Sequence, residues 1–138
     1  MERVNIGFAG LGGRGSGLVD LVAEMEDVRV PAVCDVYADR VEQKVARVQA
    51  THGYRPHGYT DYRAMLARGD LDGVVIATSW TTHVEIALAA LRAGIYAAVE
   101  VGGDAVQRQL PHRLVHIRHD GGVHRNDRFI GQLVGNTE

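Results

Sequence analysis

Six consecutive residues near the start of the chain, Gly10-Leu11-Gly12-Gly13-Arg14-Gly15, have the types and spacing to hold a phosphate group. They follow an apolar run, Val4-Asn5-Ile6-Gly7-Phe8-Ala9, and precede a segment with helical periodicity. A strand, a tight turn and a helix start in that order leave unpaired backbone N–H groups at the positive end of the helix, which suits an anion. In such a turn Gly10 allows the bend, Gly12 lets a pyrophosphate approach the backbone, and Gly15 lets the helix pack close to the strand. Arg14 can neutralise the pyrophosphate; its alternative is plain exposure in a loop. Glycine-rich turns are common, so the pattern draws its weight from the residues downstream of it.

Asp35 ends the second apolar run, Val28–Cys34, about twenty residues downstream, where a carboxylate can accept hydrogen bonds from an adenosine ribose diol. It would also repel a 2′-phosphate, which favours NAD over NADP. The plainer alternative is a solvated loop acid that starts the next helix. Arg40 either lies over the adenine or is a helix-surface charge. Ala77-Thr78-Ser79 closes another apolar strand, and small or hydroxyl residues there allow a ribose or nicotinamide to approach. Trp80 either walls that crevice or packs under a loop. His83 either contacts the cofactor's phosphate or ribose or only caps a helix, and Glu100 would line the nicotinamide end. No residue presents itself as a catalytic acid or base. His112, His116 and His119 would share one face of a helix begun at Pro111, with Asp120 nearby, which resembles metal-ligand spacing. No second segment supplies a partner ligand, so the reading is against a metal.

These residues need a scaffold of alternating strands and helices. After the glycine turn, Leu18, Leu21, Val22 and Met25 recur at helical spacing. Val41, Val45 and Val48 mark a second helix, with Gly53 as its stop. Pro31 within the second strand counts against an uninterrupted ladder, and Pro56 suits an edge position for a short strand at Arg55–Tyr59. Asp61 can cap a short helix carrying Met65 and Leu66, which Gly69 can end. Gly73–Ala77 lacks polar alternation, as in a strand covered on both faces. Thr81 or Thr82 can cap the next helix, whose stripe is Val84, Ala87, Leu88 and Leu91, and Ile95–Val99 is a fifth strand. Alternation through residue 100 predicts an α/β fold, a parallel sheet wound on both faces in the order 3-2-1-4-5. Beyond Gly103 the composition changes: four of the seven histidines and five arginines, but no lysine, lie in residues 104–138. Phe129–Val134 is the best candidate there for a sixth strand, Pro111 interrupts a helical stripe at Val106, Leu110 and Leu114, and the stretch need not be ordered.

The chain has 138 residues, 46% of them hydrophobic and 23% charged, with net charge −2. That size allows one domain with a real core and is short for a cofactor domain plus a substrate domain. The charge balance offers nothing to nucleic acid or an anionic membrane surface. The single cysteine, Cys34, excludes an internal disulfide and fits a reducing compartment. No apolar run is long enough to span a bilayer, and the first residues lack a signal-type core. The expectation is a soluble, cytoplasmic protein.

Over residues 3–103 the chain resembles the N-terminal domain of the Gfo/Idh/MocA family, relatives of glucose-fructose oxidoreductase and inositol dehydrogenase. The resemblance rests on Gly10–Gly15, on Cys34-Asp35 with Arg40, on Thr60-Asp61-Tyr62-Arg63-Ala64-Met65-Leu66, on Asp72–Thr78 with His83, and on Ala93-Gly94 leading to Glu100. It implies a Rossmann domain at residues 1–103 that holds a nicotinamide cofactor, with residues 104–138 as an atypical basic, histidine-rich tail. It also implies hydride transfer to or from a sugar, cyclitol or related polyol, with substrate contacts supplied largely by a second domain. Two departures qualify this. The family's usual Glu-Lys-Pro, whose lysine serves substrate binding and proton transfer, is here Glu100-Val101-Gly102. Glu-Val is similar to atypical branches that include NAD-dependent glycosidases. In addition, residues after Gly103 do not resemble the family, as a truncated or frame-shifted gene, or a fragment, would produce. Little or no turnover is expected of the chain alone. The alternatives are the cofactor domain of a glycosidase-like relative and a non-catalytic remnant.

Overall fold

The computed structural model describes residues 3–100 and 114–117. The elements run β1 (Val4–Ala9), α1 (Gly13–Ala23), β2 (Val28–Cys34), α2 (Ala38–His52), β3 (His57–Tyr59), α3 (Tyr62–Leu66), β4 (Gly73–Ile76), α4 (Trp80–Arg92), β5 (Tyr96–Glu100) and β6 (Leu114–Ile117). They form one sheet in the order β3-β2-β1-β4-β5-β6, every neighbouring pair parallel. The expected 3-2-1-4-5 order holds, and β6 extends it.

Alternation along the strands divides the core in two. Ile6 and Phe8 of β1, Val30 and Val33 of β2, Val75 and Ala98 pack with Leu18, Val19 and Val22 of α1 and Val41, Val45 and Val48 of α2. Ala9, Ala32, Val74, Ile76, Ala97 and Val99 face the other way, against Met65 and Leu66 of α3 and Ile86, Ala87 and Ala90 of α4. With helices on both faces, β4 is apolar along its whole length and fully buried. A buried lysine ties the first two helices together: Lys44 Nζ donates to Asp20 Oδ1 at 2.8 Å and to the Ser16 carbonyl at 3.2 Å.

Several local expectations change. Pro31 is accommodated by a register shift: Asn5 pairs with Arg29 and Gly7 with Ala32, so Val30 and Pro31 together face Ile6. On the other side β3 pairs only with Ala32–Cys34, so the missing N–H of Pro31 costs no ladder bond there. The short third strand begins at His57 rather than Arg55. Leu21 is exposed at 62%, and Val19 and Ala23 replace it on the buried face of α1. On α4 the buried stripe is His83, Ile86, Ala87 and Ala90, with Val84, Leu88 and Leu91 only half-buried. Its N-cap is Ser79 rather than a threonine, and no side-chain cap bond forms. Asp61 does cap α3, its carboxylate accepting from the Arg63 N–H, and Gly53 ends α2 in the left-handed conformation.

The sixth strand is Leu114–Ile117, beside β5, in a segment where the sequence suggested a broken helical stripe and a histidine-bearing helix. Of the three histidines expected on one helical face, His116 lies in this strand instead. Val115 and Ile117 suit a strand, but four residues are too few for alternation to be read. Phe129–Val134, the remaining histidines of that cluster with Asp120, and the expected boundary at residue 103 lie outside the described residues.

Candidate functional site

Because all strands are parallel, their carboxyl ends share one edge. The residues picked out in the sequence gather there: Gly10–Gly15 after β1, Asp35 after β2, Ala77–Ser79 after β4 and Glu100 at the end of β5. Backbone bonds lock the strand exits together, with the Gly10 N–H donating to the Cys34 carbonyl at 2.9 Å and the Ala77 N–H to the Ala9 carbonyl at 2.8 Å.

The turn needs glycine at two positions for different reasons. Gly10 has φ +102°, and a Cβ there would lie 2.5 Å from the Ala77 carbonyl oxygen. At Gly15 a Cβ would lie 1.9 Å from the Gly10 carbonyl oxygen and 3.2 Å from the Ala77 Cβ. The first turn of α1 is thus pressed onto the end of β1, with the small Ala77 side chain against Gly15 and the Ala77 backbone against Gly10. Gly12 and Gly13 differ: a Cβ at Gly12 would meet only Arg40 Nη1 at 3.6 Å, and one at Gly13 nothing within 4 Å. Close packing behind the turn and open space in front of it leave the helix start accessible to a phosphate. The residues present therefore fit a dinucleotide.

Asp35 is buried and acts as a clamp. Its Oδ2 accepts from the Leu11 N–H at 2.7 Å and its Oδ1 from the Tyr37 N–H at 2.9 Å, so one carboxylate joins the glycine turn to the start of α2. Arg40 approaches Oδ2 at 3.8 Å and stacks over the Tyr37 ring, 4.7 Å from its centroid. The sequence reading missed Tyr37. An aspartate whose side chain accepts from the N–H two residues on is a common turn, so Asp35-Val36-Tyr37 carried the signal. Cys34, just before the clamp, is held protonated: burial above all, then the charges of Asp35 and Asp61, push its thiol up to about 12.

At the other end, Thr82 Oγ1 donates to Thr78 Oγ1 at 2.7 Å, and the Ser79 and Thr81 hydroxyls lie 3.1 Å apart. Ser79 is exposed and Thr78 half-buried. His83 is 1% exposed, and neither ring nitrogen has a hydrogen-bond partner of good geometry among the described residues. Burial lowers its pKa from the ordinary histidine value, opposed by the Thr78 backbone and the Glu100 charge. It faces the core rather than capping α4. Glu100 is buried, with Oε2 3.4 Å from Arg14 Nε. The Trp80 side chain and Val101 lie outside what the structure describes. Among the described residues no cluster of histidine, cysteine or carboxylate side chains could hold a metal ion, and no helix is long and apolar enough to cross a membrane.

A parallel sheet wound on both faces, a glycine turn at a helix start and a carboxylate after the second strand define a dinucleotide-binding domain. The sequence profile of the Gfo/Idh/MocA oxidoreductases, described as an NAD-binding Rossmann fold, matches residues 4–101, and the chain belongs to this family. Among curated relatives, a glycosyl hydrolase family 109 protein of Streptomyces niveus is 39% identical over 101 residues, covering 70% of this chain and 20% of the relative. An α-N-acetylgalactosaminidase of Shewanella oneidensis is 35% identical, covering 73% and 23%. The chain thus spans only about a quarter or less of these relatives' length. Among solved structures, a dehydrogenase of Chromobacterium violaceum superposes with TM-score 0.62 at 29% identity, covering 72% of this chain and 28% of that one. The fold is also that of a scyllo-inositol dehydrogenase of Lactobacillus casei solved with NAD(H) and scyllo-inositol, with TM-score 0.70 at 19% identity, covering 86% and 36%.

Proposed function

We propose that this chain binds NAD, in preference to NADP, as the cofactor domain of an oxidoreductase that acts on a sugar, cyclitol or related polyol. The reading is carried by the glycine turn, closed behind by Gly10 and Gly15 and open in front at Gly12 and Gly13. The pyrophosphate would rest on Gly10–Gly15 with Arg14 beside it. The adenosine would lie between Asp35 and Arg40, and the nicotinamide near Ala77, Thr78, Ser79, His83 and Glu100. Asp35 supports the preference for NAD, since its buried charge disfavours a 2′-phosphate. When bound, the nicotinamide supplies hydride chemistry; this chain's residues bind, orient and shield it. Residues 1–103 form this cofactor domain and 104–138 a distinct segment. Substrate contacts come from a second domain, and the lone buried Cys34 fits a cytoplasmic protein.

A second reading is favoured by one observation. The curated relatives that match at 34–40% identity bear glycosidase names, and Glu100-Val101 replaces the Glu-Lys of the commoner branch. The chain would then be the cofactor domain of an NAD-dependent glycosidase, needing NAD without net consumption. A non-catalytic remnant is the third outcome.

Thermal unfolding with added NAD+ or NADP+ tests binding. NAD+ at about a hundred times its Kd should raise Tm by roughly 5–10 °C, with a smaller effect of NADP+ at the same concentration. Gly15→Ala should remove the shift. Absence of a shift with either dinucleotide would leave only the remnant.

A further inference from the structure

Granted the cofactor site, we propose that the Arg14–Glu100 ion pair is a latch across the cleft, which a dinucleotide opens by drawing Arg14 onto its pyrophosphate.

Arg14 lies in the first turn of α1 and Glu100 ends β5, with β4 between β1 and β5 in the sheet. The pair therefore reaches past Ala77–Ser79 at the carboxyl edge, over the ground a dinucleotide would occupy. Its two halves differ: the Arg14 side chain is 40% exposed and that of Glu100 only 10%. The carboxylate is buried, while the long arginine side chain reaches solvent. An anion seated on the open face of Gly12 and Gly13 competes for the same guanidinium. A half-exposed ion pair is a weak interaction, whereas an arginine–phosphate contact is charge-assisted and can be bidentate, so the exchange favours the ligand. The cleft also holds unmet polar capacity. His83, buried and with no hydrogen-bond partner of good geometry for either ring nitrogen among the described residues, feels the Glu100 charge.

The test uses the full 138-residue chain and ADP-ribose, which carries the pyrophosphate and both riboses but no nicotinamide. Calorimetric titration should show Glu100→Gln binding ADP-ribose about two- to fivefold tighter than wild type, the range expected for removing a partly exposed ion pair. Arg14→Ala should bind more weakly, and adding Glu100→Gln to it should bring no gain. Tightening by Glu100→Gln that persists without Arg14 would be a general charge effect and would overturn the latch. Unchanged or weaker binding by Glu100→Gln would overturn it too. Where Glu100→Gln does not fold, as judged by far-UV circular dichroism, Glu100→Asp serves: its shorter side chain draws back from Arg14, and the same direction is expected at smaller size. Failure of wild type to bind either ADP-ribose or NAD+ would instead overturn the cofactor reading.

Discussion

Asp35 holds the glycine turn before it can hold a ribose. Its oxygens accept from Leu11 and Tyr37, so the side chain proposed to select the cofactor also shapes the pyrophosphate loop. The proposed ribose recognition would add to an anchored carboxylate whose position is set in advance. His83 shows the opposite case, a buried polar ring with no hydrogen-bond partner of good geometry among the described residues. Because burial lowers its folded pKa, the folded chain takes up this proton at a lower pH than the unfolded chain, whose histidine titrates near the ordinary value of about 6.5. The unfolded state then binds more protons, so this group's effect is to reduce stability as pH falls below that value, by up to about 1.4 kcal/mol per pH unit. Urea unfolding at pH 7 and pH 5.5 should show wild type losing more stability on acidification than His83→Gln; equal losses would remove His83 as the cause. Of these roles, the sequence disclosed the types and order of the glycines and Asp35. It did not disclose that Arg14 pairs with Glu100 or that His83 is buried, because both depend on residues more than fifteen positions apart meeting at a sheet edge.

Among the elements, β1 is central, paired with β2 on one side and β4 on the other. Phe8, fully buried, fills the layer beneath α1 and α2. Phe8→Ala should lower the unfolding free energy by about 3–5 kcal/mol, measured by urea denaturation. Loss of less than about 1 kcal/mol would mean that the layer collapses into the space. Element types were legible because apolar runs of strand length alternated with helical stripes. Faces were less so. Leu21 and the α4 stripe were misplaced by about one position, since periodicity alone does not say which side of a helix the sheet covers. Pro31 read as an obstacle because a lone sequence does not show where a partner strand stops. With β3 pairing only from Ala32 onward and a register shift against β1, its missing N–H is harmless.

At the scale of the whole molecule, chemistry is divided between what this chain holds and what it needs. The residues proposed to hold the cofactor meet at the carboxyl edge of the sheet, and the proposed function leaves the substrate contacts to a second domain. The purified 138-residue chain should therefore bind NAD+ without reducing it in the presence of inositols or sugars, followed at 340 nm. Sustained NADH formation would show that the chain carries its own substrate site. The sheet also runs one strand further than the alternation predicted. β6 lines up beside β5, with Glu100 opposite Ile117, so residues 114–117 extend the sheet.

By itself the sequence determined the class of protein: strand–helix alternation dictates a parallel sheet, and the spacing of Gly10, Gly12, Gly15 and Asp35 marks a glycine turn at a helix start with a carboxylate beside it. These features are local or recur at short period, so a linear reading captures them. Only the tertiary structure decided which glycines are pressed against backbone and which face open space, what the Asp35 oxygens bond, and that Arg14 and Glu100 meet. It also decided where the sixth strand lies. Those outcomes come from the packing of distant segments, and burial, pairing and steric contact are properties of the packed chain that residue order alone does not display.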